Sequence, residues 1–131
     1  MPVDERAPQP FAYALLRVVP RLERGERLNV GVVLFCRRHD FLELRTHLDA
    51  KRLAAIAPDL DPEPLRSRLD ALRRVVAGDS TGGAVAALEQ SERFGWLVAP
   101  SSTIIQPSDV HTGMTDDPRA TLDHLFHTLV V

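Results

Sequence analysis

Arg17 sits inside an apolar run, FAYALLRVV, where a guanidinium needs a carboxylate, a carbonyl or a bound anion as partner. Glu26 and Glu43 are the carboxylates that adjacent strands would bring near it. A structural ion pair covering a sheet edge is the simplest outcome. The alternative is an anion or nucleotide site in which Arg17 or Arg24 works with Glu26 and His111. A second polar concentration, PSDVHTGMTDD, spans residues 107–117 and reads as a long loop. His111, Thr112 and Gly113 offer an imidazole, a hydroxyl and a backbone that can approach a ligand, and long loops in compact domains often carry function. Capping of the next helix by Thr115, Asp116 and Asp117, with a turn at Gly113, explains the same residues without a ligand.

The remaining reactive side chains form no set. Of the five histidines, His39, His47, His111, His124 and His127, the last two lie three apart on one helical face, a spacing that permits a shared metal. No carboxylate or cysteine cluster completes the ligands, so no metal or other cofactor is expected. Cys36, the single cysteine, ends an apolar run and reads as a buried structural thiol. Phosphate loop, dinucleotide fingerprint, zinc-protease helix and nucleophile elbow are all missing, and no catalytic residue is assigned.

The elements that would position these groups follow from periodicity. A polar, proline-rich tail over residues 1–10 precedes one globular domain over residues 11–131. Phe11 to Val19 reads as a strand with Phe11, Tyr13, Leu15 and Arg17 on one face and Ala12, Ala14, Leu16 and Val18 on the other. Both faces are largely apolar, as in a central strand covered on two sides. The run NVGVVLFC is a buried strand in which Gly31 suggests a bulge or a close approach. Phe41 to His47 is its hairpin partner, with Leu42 and Leu44 directed inward. Asp49 caps a short helix. Asp61 and Pro62 open a longer one with Leu65, Leu69, Leu72 and Val76 as its stripe and an Asp70–Arg74 pair on its surface. Ala84 to Gln90 reads as a third helix, Trp96 to Ala99 as a short strand or packed loop, and Ser101 to Gln106 as a strand. Asp117 and Pro118 start a last helix with Leu122, Leu125, Phe126, Leu129 and Val130 as its stripe. The order β-β-β-α-α-α-β-α predicts an α+β fold, a mainly antiparallel sheet of about four strands with helices packed on it.

At 131 residues, 44% hydrophobic and 26% charged, the chain has the balance of one globular domain. A net charge of -2 argues against a nucleic-acid binder. The charge is uneven: residues 1–74 carry 14 Lys+Arg against 11 Asp+Glu, and residues 75–131 carry 2 against 7. The N-terminal stretch lacks the apolar core of a signal peptide, and no run reaches the roughly 18 residues of a membrane span. A cytoplasmic location is expected.

YALLRVVP (Tyr13 to Pro20), RGERLNVGVVLFC (Arg24 to Cys36), FGWLVAPSSTIIQPS (Phe94 to Ser108) and HTGMTDDP (His111 to Pro118) together resemble a bacterial family known as domain of unknown function 3037. The resemblance runs from Tyr13 onward, and its most specific parts are GE-x-x-NVGVVL and HTG-x-TDDP. It carries no catalytic residues across. It implies a small bacterial protein, often encoded beside HipA-like kinases. Arg17, Arg24, Gly25, Glu26, Asn29, Gly31, His111, Thr112 and Gly113 fall within the matching segments.

The leading expectation is therefore a binding or regulatory module for a protein partner, a HipA-like kinase being one candidate. Its surface would be built from Arg24 to Asn29 and from His111 to Asp117. A small enzyme or an anion- or nucleotide-binding domain is the second expectation; it requires one pocket joining those two segments. The third is a structural homodimer. A homodimer is expected in any case, because the apolar end Leu129-Val130-Val131 wants cover.

Overall fold

The computed structural model describes residues 7–101 and 103–131. Residues 1–6 of the expected tail lie outside these. Gln9 and Pro10 are already strand: β1 runs Gln9–Val18. It is the spine of the fold. β2 (Leu28–Cys36) pairs antiparallel with it along one side, and β3 (Phe41–Thr46) pairs antiparallel with β2. The other side of β1 is shared. β4 (Ile105–Pro107) takes Leu16 to Val18, and β5 (His111–Thr115) takes Gln9 to Tyr13.

The alternation read in β1 holds, and each face has its own cover. On one side Ala14, Leu16 and Val18 join Val30, Val33, Leu42 and Leu44. Against them pack Leu53 of α1 (Ala50–Ile56), Leu65, Leu69, Leu72 and Val76 of α2 (Pro62–Val76), and Phe94 and Leu97 of α3 (Gln90–Val98). On the other side Leu15, Val32, Leu34 and Cys36 meet Leu122, Phe126 and Val130 of α4 (Pro118–Leu129). Each fully buried leucine or valine contributes about 1.5–3 kcal/mol of transfer free energy, so these two clusters supply most of the drive to fold.

The hairpin between β2 and β3 is tied to α4 on its charged face. Arg45 pairs with Asp123 and lies 4.5 Å from the centre of the Phe126 ring. Arg119 reaches Glu43 at 3.0 Å and stands over Phe41. Phe41 shares its face with Glu43 and Arg45, and α4 covers that face.

A bulge interrupts β1 and β2. Leu16 pairs with Gly31 but Arg17 with Asn29, which leaves Val30 as the extra residue, directed into the core. Gly31 is beside it for a steric reason: a Cβ there would lie 3.2 Å from the Arg45 carbonyl oxygen. Where β4 gives way to β5, Ser108 completes the ladder. Its N–H donates to the Leu15 carbonyl at 2.8 Å, and its hydroxyl accepts the Leu15 N–H at 2.8 Å.

The sequence expectations need correcting in the last third. Residues 96–99 are mostly helical, the end of α3, because Phe94 and Leu97 are spaced to bury one helical edge while Trp96 faces outward. The helix expected over residues 84–90 is only a 3-10 turn at Val85–Ala87. The strand expected over residues 101–106, which includes residue 102 outside the described set, starts only at Ile105. Before it, Thr103 donates its hydroxyl to the Ile105 carbonyl, a local bond that competes with ladder pairing. The expected long loop contains β5, the fifth strand. Gly113 and the aspartates and prolines around HTGMT read as loop, and pairing to β1 overrides them. On α2, Asp70 pairs with Arg73 rather than Arg74.

Candidate binding site

The chain leaves β1 at Pro20, makes a 3-10 turn at Leu22–Arg24 and re-enters the sheet at Leu28. Gly25 ends that turn at φ 70°, donating its N–H to the Leu22 carbonyl. A left-handed residue there reverses the chain in few residues, and glycine adopts it without strain. The reversal brings Gly25 and Arg27 opposite the segment after β4. Between them lies a cavity of about 320 Å³, also lined by Arg17, Gln106, Ser108 and Asp109.

Arg17 is the residue that makes this notch chemically unusual. It occupies the α4-side face of β1, in line with Tyr13 and Leu15, one step past the bulge. Its Nε is buried and has no hydrogen-bond partner, and no carboxylate lies within ion-pair reach of it among the described residues. A buried donor left in that state costs about 1–3 kcal/mol. Neither expected partner is there: Glu26 pairs with Arg24, and Glu43 with Arg119.

The other sequence candidates separate. Arg24 and Glu26 border a different cavity, of about 550 Å³, with Pro20, Arg21 and residues Ala55 to Leu60 of the α1–α2 connection. Asn29 points to α4, donating its side-chain amide to the Leu129 carbonyl at 3.0 Å. His111, Thr112 and Gly113 are in β5. The His111 ring is exposed and lies 5.2 Å from the ring of Tyr13, its partner in register. Gly113 faces Phe11, whose ring atoms would be 2.8 Å from an added Cβ. Since His111 pairs with Tyr13 and β5 then runs away from Arg17, the two polar segments are roughly 13 Å or more apart along β1. What meets the 20–27 connection is the stretch from Gln106 to Asp109. His124 and His127 are both exposed on α4, His127 using Nδ1 against the Asp123 carbonyl at 2.8 Å.

Arg27 lies in the Arg24–Asn29 segment and Ser108 and Asp109 in the 107–117 stretch read from the sequence, but the sequence leads none of them to Arg17, and it places Gln106 only in a strand. Nothing local marks them: their meeting depends on β4 lying beside the end of β1, a pairing of residues some ninety apart in the chain. Leu129 and Val130 belong to the same account. Val130 is 1% exposed, enclosed by β1 and β2, and its carbonyl accepts from Arg52 at 3.0 Å. Val130 is thus covered within the chain itself, while Val131 is 56% exposed.

No helix among the described residues is long and apolar enough to cross a membrane. Comparison with curated proteins and with solved structures gives no match. A family model described as a protein of unknown function (DUF3037) matches residues 13–130, nearly the whole sequence and both strands that build the notch. The chain belongs to the DUF3037 family.

Proposed function

We propose that this chain is a binding or regulatory module that takes a protein partner along the open edge of β5 in the bacterial cytoplasm. The observation that carries the reading is the state of that edge. β5 pairs with β1 on one side, and on its other side no strand follows among the described residues. Its backbone groups on that side are therefore free to add a strand, and side chains beside them supply selectivity. Met114 is 63% exposed, and His111, Thr112 and Val110 are exposed with it. A thioether adapts to many apolar surfaces, and an exposed imidazole and hydroxyl add directional contacts.

A HipA-like kinase, the neighbour that the family resemblance implies, is the first partner to try, and a second copy of this chain is the competing occupant. The test is co-expression of tagged chain and kinase with wild type and with Met114→Glu, a charge placed on the edge. The reading expects a complex with the wild type that is lost in the variant, at unchanged melting temperature. A dimer of the chain alone, abolished by the same substitution, assigns the edge to self-association instead. No complex, or one indifferent to Met114→Glu, overturns the reading.

A further inference from the structure

We infer that the notch between the end of β1 and the β4–β5 step is a site for a singly charged carboxylate, gripped by Arg17 and Arg27. This site is independent of the β5 edge. Arg17 is the charged residue of a strand that is otherwise apolar from Pro10 onward, and its Nε finds no acceptor among the described residues. A guanidinium presents its donors in a planar fork that matches the two oxygens of a carboxylate. The notch it lines is about 320 Å³, near the lower limit for a small-ligand pocket. Arg27 lines the same notch.

Charge selects among anions. Arg17, Arg27 and Asp109 are the charged residues lining the notch, which gives it one net positive charge. A single carboxylate balances that charge. A phosphate dianion would exceed it and would sit against Asp109, where like charges repel. Ser108 contributes shape rather than a donor, since its hydroxyl already accepts from Leu15 and donates to the Asp109 carbonyl.

The experiment follows the Nε–H signal of Arg17 by NMR in the full chain. Sodium acetate and inorganic phosphate are titrated separately, each against sodium chloride at the same ionic strength. The site predicts a saturable shift with acetate, weaker binding of phosphate, and an acetate affinity reduced by about fivefold in Arg27→Gln, the loss of one partly exposed charge contact. Arg27 is exposed, so that variant keeps the fold; Arg17→Gln serves only if it melts cooperatively. Asp109→Asn should admit phosphate. The inference is overturned if the Arg17 signal follows the chloride control, if Arg27→Gln binds acetate as the wild type does, or if phosphate binds the wild type more tightly than acetate.

Discussion

The side-chain amide of Asn29 donates to the backbone carbonyl of Leu129, 3.0 Å away and one hundred residues further along the chain. The bond joins the bulged start of β2 to the last turn of α4, where carbonyls have no helical donor. Asn29 is thus explained by the fold. Asn29→Ala should destabilise the chain by about 1–2 kcal/mol, as an orphaned partly buried acceptor costs. Asn29→Asp should cost more, because it sets a carboxylate against a carbonyl. Urea midpoints check both; an Asn29→Ala variant as stable as the wild type contradicts this role.

Gly113 has a packing reason to be glycine. Its backbone is unexceptional, but the Phe11 ring covers the place where a Cβ would stand. Gly113→Ala should cost about 1–3 kcal/mol, the range for inserting a carbon into a packed contact. Phe11→Leu should restore most of the loss in the double variant. Thermal melts of the two single variants and the pair read this directly; additive losses would show that the ring is not what excludes the methyl.

Replacing Arg17 by an apolar residue should stabilise the chain, opposite to the usual effect of changing a buried side chain. Arg17→Met keeps length and apolar volume and removes an unpaired buried N–H. In buffer free of small carboxylates it should raise stability by about 1 kcal/mol. A measured loss of that size would mean that Arg17 has an internal partner.

Two carboxylates set part of the acid limb. Asp49 is held below its usual 3.8, mainly by the N–H of Arg52 and also by that of Lys51. Asp79 is held below it mainly by the N–H and hydroxyl of Thr81. Both shifts are downward, so the stability they contribute is fully present above 3.8 and disappears as pH falls through the lower folded values. Asp49→Asn with Asp79→Asn should lose stability at neutral pH and should show a shallower decline below about pH 4. Denaturation at a series of pH values tests this; parallel curves for wild type and double variant contradict it.

The sequence is most legible where one element decides its own form. Asp49, Asp61 and Asp117 cap the three helices read from them, and Pro62 and Pro118 occupy the first turns as expected. The two faces of β1 can be read from its alternation because both are buried. Legibility fails where a distant partner decides. HTGMT is a strand only because β1 offers it an edge, and Phe94 and Leu97 reveal a helix only once the sheet they cover is known. The site follows the same rule. Arg17 stands out in the sequence because a charge interrupts an apolar strand, but Arg27 and Asp109 are ordinary surface residues until the fold brings them to one notch. Arg24, Glu26 and His111 lie in segments that are neighbours of this notch without lining it.

The most direct measurement for the proposed function is amide hydrogen exchange of the chain, free and bound to a co-expressed HipA-like kinase. Addition of a partner strand predicts that amides of residues 111–115 become strongly protected in the complex, while those of α2 on the far face keep their free rates. Protection confined to α2 and α3, or none at β5 in a complex that has formed, would contradict it.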